Sequence, residues 1–152
     1  MEKTRHDAAV NLQTRLRPAL PGDAAFIFSL EKICMEDYAK AVWPNLVWPS
    51  SKAVFNHHDF KIICVGGRDV GCIEMSAQDD GPFLDSLYVL PEFQGHGVGT
   101  AVLRDIKYEC TKSGVTLRLS VLTSNPRAKK FYLREGFKVF KETPERSFME
   151  TL

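Results

Sequence analysis

Apolar positions recur along the chain with two periods, one near 3.6 residues and one near two, and the change from one to the other marks the elements. Phe26, Ile27, Leu30, Ile33, Cys34 and Tyr38 fall on one face of a helix that Asp23 would cap, with Glu31, Lys32, Glu36 and Lys40 on its other face. Before it, Leu12 to Leu16 alternates as a short strand that Pro18 to Pro21 closes. After it, Trp43-Pro44 and Trp48-Pro49 cannot sit inside a regular helix, so a loop is expected, then a short helix near Lys52 to His57. Ile62 to Val65 and Val70 to Met75 flank Gly66-Gly67-Arg68-Asp69 and read as a hairpin, and Phe83 to Leu90 is a further strand.

A glycine-rich turn follows, then a helix from about Val98 to Ser113. Val98, Val102, Leu103, Ile106 and Cys110 form its stripe, and Gly114 is placed to end it. Val115 to Leu122 is again a strand. Asn125 before Pro126 sets an N-cap ahead of a proline at the first helical position, and Gly136 should end that helix. Phe137 to Phe140 and Phe148 to Leu152 complete the set. Early strands meet through a hairpin and later ones are separated by helices, which predicts an α/β fold with a mixed, mostly antiparallel sheet of six to seven strands flanked on both faces by about four helices.

Composition narrows the class. The 152 residues are 44% apolar and 26% charged, the profile of one globular domain from about residue 12 to 152, with residues 1–11 as a flexible extension. Twenty basic against nineteen acidic residues leave a net charge of +1, which argues against a polyanionic partner such as nucleic acid. Met1 to Gln13 has no apolar signal core, and no run approaches the roughly 18 apolar residues of a membrane span, so a cytoplasmic protein without a membrane partner is expected. Cys34, Cys64, Cys72 and Cys110 form no C-x-x-C pair and read as reduced core residues. His57-His58 has no third ligand spaced nearby, and no metal is assigned.

The chemistry concentrates in Gln94-Gly95-His96-Gly97-Val98-Gly99-Thr100, between a strand and an amphipathic helix. Alternate glycines let the backbone come close to a ligand, and the helix start offers unpaired N–H groups and partial positive charge, so a phosphate is the expected guest. There is no Lys for the G-x-x-x-x-G-K-[ST] pattern, and Thr100 stands where G-x-G-x-x-G needs its last glycine. Instead Gln94-x-x-Gly97-x-Gly99, after a strand ending Tyr88-Val89-Leu90-Pro91, resembles the acetyl-coenzyme A signature of the GNAT N-acetyltransferase superfamily. Downstream, Asn125-x-x-Ala128-x-x-x-Tyr132-x-x-x-Gly136-Phe137 resembles that superfamily's second motif, and the likeness covers about Leu12 to Leu152.

The resemblance implies transfer of acetyl from acetyl-coenzyme A to a primary amine of a small molecule or peptide, by direct attack in a ternary complex. It implies the pyrophosphate on the N–H groups of Gly95, His96, Gly97, Val98, Gly99 and Thr100 behind Gln94, and pantetheine along Leu87, Tyr88 and Val89. Asn125, Ala128, Lys130 and Tyr132 would lie against the cofactor, the N–H of Val89 would hold the oxyanion, and Tyr132 would be the general acid. By their residue types alone, Tyr132 also reads as an aromatic core residue and Asn125 as a helix cap. Arg127, Lys129, Lys130 and Arg134 read equally as a solvated helix face.

The base is open between Asp85 and Glu74, because Ser120 stands where some superfamily members carry glutamate. Trp43 and Trp48 belong either to the acceptor pocket or to the core, and Glu36, Asp37 and Glu74 are candidates to hold the amine. Pairing along the C-terminal strand edge is the expected route to a homodimer. A non-catalytic acyl-coenzyme A binding module is the alternative function.

Overall fold

The computed structural model describes residues 13–49 and 55–152. Its strands are β1 (Thr14–Pro18), β2 (Phe60–Val65), β3 (Arg68–Gln78), β4 (Gly81–Val89), β5 (Arg118–Leu122), β6 (Phe137–Glu142) and β7 (Arg146–Thr151). Its α-helices are α1 (Ala24–Val42), α2 (Val98–Lys112) and α3 (Pro126–Arg134). The strands form one sheet in the order β1-β2-β3-β4-β5-β7-β6, antiparallel throughout except where β4 runs parallel to β5. The mixed sheet expected from the periodicity is therefore present, flanked by three α-helices among the described residues.

Alternating apolar residues give the sheet two buried faces. On one, Phe60, Ile62 and Cys72 meet Ile27 and Leu30 of α1. On the other, Ile63, Ile73, Leu84 and Leu119 meet Val98, Val102 and Leu103 of α2. Two departures from regular pairing create the site. The β3–β4 register steps from Glu74↔Ser86 to Met75↔Leu84, so Asp85 is an extra, bulged residue. β4 and β5 pair only at Phe83↔Arg118 and Leu84↔Leu119, and beyond those residues the two strands part. At the same level β3 and β4 press together, since a Cβ on Gly71 would lie 2.3 Å from the Tyr88 carbonyl oxygen.

Several boundaries differ from the expectation, for local reasons. The first strand is Thr14–Pro18, displaced from 12–16 because Arg17 and Pro18 still pair with Ile62 and Lys61. Of the helix expected near Lys52 to His57, residues 52–54 lie outside the described residues, and His57–Asp59 form a single 3-10 turn. β5 starts at Arg118, because Val115 still closes the end of α2 through its N–H to Cys110 O. β7 begins two residues before Phe148. Ile33 is 54% exposed, so the buried face of α1 is narrower than its apolar stripe.

Asp23 stands at the N-cap of α1, yet its carboxylate makes no cap bond. It accepts from Leu20 N–H (2.8 Å) and from both Nη atoms of Arg17, and Arg17 also reaches Asp69 at 2.9 Å. These hydrogen bonds tie β1 to the start of α1 and to the β2–β3 turn, and they hold both carboxyls below the usual carboxylate range. A depressed carboxyl pKa stabilises the fold above the unfolded-state pKa and is lost as pH falls through the folded-state value. Arg17→Gln should therefore lower the melting temperature by about 2–4 °C at pH 7, the equivalent of about 1 kcal/mol for a partly exposed cluster. The difference should shrink as pH falls through and below the ordinary carboxylate range, as paired melts at neutral and acid pH would show.

Candidate active site

Where β4 and β5 part, a cleft of about 1020 Å³ opens on the sheet. α1 and the segment after it border one side, and the loop before α2 together with α3 borders the other. Leu90 N–H donates to Val70 O at 2.8 Å, so the antiparallel alternation turns the N–H groups of Leu87 and Val89 away from β3 and into the gap. The Val89 carbonyl is already taken, by Gln94 Nε2 at 2.8 Å and by the Cys34 thiol at 3.4 Å.

Gln94 thus anchors the glycine turn to the end of β4. Gly95 (φ 78°) and Gly97 (φ 88°) hold left-handed conformations that admit few other residues, and Gly97 is the N-cap of α2 with no side-chain cap bond. The first helical bond is Ala101 N–H to Gly97 O, which leaves the N–H groups of Val98, Gly99 and Thr100 without intrahelical acceptors at the positive end of the helix. All three residues line the cleft, as do Gly95 and Gly97, whereas His96 is half-buried outside its wall.

α3 meets this loop. Asn125 Oδ1 accepts from Ala128 N–H at 3.1 Å, so its side chain caps the helix while the residue lines the cleft. A Cβ placed on Gly99 would lie 3.7 Å from Phe131 Cζ, which brings the two sequence motifs into contact. Tyr132 is buried, with its ring edge-on to Phe131 and Phe137 at 5.1 and 5.5 Å, and it lines the cleft as well. It is therefore both a core aromatic and a cleft residue. Burial pushes its phenol above the usual range, so it is protonated at neutral pH. Arg127, Lys130 and Arg134 line this end, whereas Lys129 points to Glu142 at 2.8 Å.

The opposite end is built by α1, β4, β5 and β7. Ser124 Oγ donates to Tyr38 O at 2.7 Å and ties the end of α1 across the gap. Glu74 accepts from Ser86 Oγ at 3.3 Å in the wall, and Asp85 is exposed at the bulge. Both tryptophans line the cleft, and Trp43 is 39% exposed, with the Arg146 guanidinium over its ring at 5.8 Å. Arg146 also donates to Ser120 Oγ at 3.2 Å.

Some expected residues are elsewhere. Glu36 pairs with Lys40 at 3.0 Å on α1, and neither Glu36 nor Asp37 borders the cleft. Glu31, assigned by periodicity to the solvent face of α1, does border it, because one end of the helix overhangs the gap. Cys34 lines the cleft while packing against the core cluster beneath α1, and burial pushes its thiol up to about 11, so it carries no thiolate at neutral pH. Cys64 is only half-buried, beside Asp69 at 3.4 Å, and all four cysteines are free. Arg146 had no signal in the sequence, since its place depends on its register opposite Leu122.

Comparison with known proteins accounts for this arrangement. The family described as "Acetyltransferase (GNAT) domain" matches residues 56–139, just over half the chain, from the turn before β2 into β6. The chain belongs to the GNAT acetyltransferase family. No curated protein sequence matches it. Among solved structures, this GNAT chain is similar to an N-acetyltransferase from Staphylococcus aureus Mu50 at TM-score 0.70 and 16% identity, over 90% of this chain and 100% of that one. It is similar to the PaiA N-acetyltransferase from Thermoplasma acidophilum, in complex with coenzyme A, at 0.66 and 18%, over 91% and 98%. Naa50 from Arabidopsis thaliana, in complex with the bisubstrate analogue CoA-Ac-MVNAL, aligns at 0.67 and 18%, over 92% and 99%. At these identities the structures show a shared GNAT fold. Among the described residues no helix is long and apolar enough to cross a membrane, and no group of three or more His, Cys, Asp or Glu is placed to hold a metal.

Proposed function

We propose that the chain is an N-acetyltransferase that moves the acetyl group of acetyl-coenzyme A to a primary amine of a small molecule or peptide, by direct attack with both substrates bound. One observation carries this reading: the glycine turn, Tyr132 and a carboxylate-bearing wall share one cleft, into which two strand N–H groups point. The turn and the start of α2 suit a pyrophosphate, with Lys130 and its neighbours nearby for further anionic groups. The parted edge of β4 suits the pantetheine amides, because its N–H groups have no strand to bond.

A thioester is already activated, so the protein has to align the amine, hold charge on the carbonyl oxygen and protonate the departing sulfur. The Val89 N–H, turned into the gap, would hold the oxyanion, and Tyr132, which lines the same cleft, would protonate the sulfur. Desolvation raises the phenol pKa, and the same water-poor site raises the proton affinity of a thiolate beside it, so the two groups stay matched. Glu74 and Asp85 both line the cleft, and Glu74 is favoured as the base because it is half-buried and held by Ser86, whereas Asp85 is exposed at the bulge. The Cys34 thiol is protonated and already donates to Val89 O, which favours direct transfer over a thiol-bound intermediate.

Release of free thiol from acetyl-coenzyme A, measured over a panel of amines, amino acids and short peptides, tests the reading. The expected result is release that depends on one acceptor class. Binding of acetyl-coenzyme A with no release for any acceptor would leave a non-catalytic binding module.

A further inference from the structure

The cleft's two ends differ in their charged groups. At the turn the basic side chains come from α3 and surround Phe131, with Arg134 over that ring at 5.9 Å. Arg146 stands apart from them. It belongs to β7, bonds Ser120 on β5 and stacks on Trp43 at the end of α1, so three elements fix its guanidinium on the α1 side of the sheet. Ser120 and Trp43 are both neutral, and among the described residues no carboxylate pairs with Arg146. A guanidinium positioned by a hydroxyl and an indole face, with its remaining N–H groups directed at a cleft, is a receptor for a planar anion. Trp48 lines the same cleft, and its indole N–H is buried with no hydrogen-bond partner among the described residues. The same cleft is also lined by two carboxylate residues, Glu31 and Glu74.

We infer that the acceptor is a small amine that also carries a carboxylate, an amino acid, with its carboxylate held by Arg146 and its amino group turned towards the Glu74 wall. This deepens the acetyltransferase reading and rests on it. A polyamine has cationic groups at both ends and would set one of them against Arg146. A plain hydrophobic amine would desolvate the guanidinium without supplying a counter-charge, a loss that discriminates strongly between substrates. The aromatic rings of Trp43 and Trp48 leave room for an apolar side chain on the amino acid.

The test compares amino acids with their decarboxylated counterparts, for example phenylalanine with phenethylamine and leucine with isopentylamine, in the thiol-release assay. Wild-type protein should show kcat/KM about 10- to 100-fold higher for the best amino acid than for its amine, the range set by one charge-assisted contact. Arg146→Gln should bring that ratio to about one by raising KM for the amino acid, and Arg146→Lys should restore part of it. Calorimetric binding of acetyl-coenzyme A to both variants reports on folding and separates the two readings. If acetyl-coenzyme A binds and amines are acetylated as well as amino acids, or if the preference survives in Arg146→Gln, the amino-acid inference falls while the transferase stands. If Arg146→Gln instead weakens acetyl-coenzyme A binding, the arginine belongs to the cofactor end and the inference falls again. If wild-type protein binds no acetyl-coenzyme A, both readings fail together.

Discussion

Replacement of Tyr132 by phenylalanine should lower kcat by about 10²- to 10⁴-fold, the range for removal of a general acid, while acetyl-coenzyme A affinity changes little. The substitution isolates the hydroxyl. The phenyl ring keeps its edge-on contacts with Phe131 and Phe137, so the apolar packing of α3 against the sheet is preserved and the melting temperature should move by only a few degrees. Because burial pushes the phenol above its ordinary value near 10, the wild-type rate should show no descending limb from this group up to about pH 10. Pre-steady-state thiol release reports the step directly. Unchanged turnover in Tyr132→Phe would remove Tyr132 from the chemistry and leave it a core aromatic.

Gly97→Val should weaken acetyl-coenzyme A binding by about tenfold or more. Gly97 has φ 88° at the N-cap of α2, and a side chain there costs about 1–2 kcal/mol unless the backbone rearranges. A rearrangement moves the N–H groups of Val98, Gly99 and Thr100, the groups the turn offers to phosphate, so the strain is relieved at the expense of the ligand. Gly114→Val is the matched control. Gly114 has φ 71° just beyond the other end of the same helix, where a Cβ meets nothing within 4 Å. Both variants should lose similar stability in thermal melts, and only Gly97→Val should lose affinity. Equal affinities for the two variants would show that the turn does not hold the ligand.

The two motif segments were legible in the sequence because their work is local. The glycines of the turn are required by positive φ, and Asn125-Pro126 writes a cap and a first helical residue in adjacent letters, so one-dimensional spacing carries both. The order of strands and helices was legible for the same reason. The end of the cleft between α1 and β7, proposed to take the acceptor, was not, because strand register and the position of α1 assemble it. Arg146 reaches Ser120 only because β7 pairs with β5 so that Arg146 opposes Leu122, a fact that no spacing within either strand encodes. Glu31 shares its helical face with solvated charges and is distinguished from Glu36 only by what stands opposite it. Asp23 holds the N-cap position expected of its residue type, but its carboxylate is claimed by Arg17 of β1 and makes no cap bond. Asp85 owes its position to a bulge, which shifts the face that simple alternation assigns to every residue beyond it.

The site proposed for an acyl-coenzyme A is the gap between β4 and β5 with the glycine turn and α3, and all the chemistry above depends on that occupancy. Isothermal titration of the wild-type chain with acetyl-coenzyme A tests it most directly. The account predicts a saturable isotherm with one site per chain, competed by coenzyme A and weakened by added salt because phosphates are held. A flat titration at millimolar ligand would contradict it.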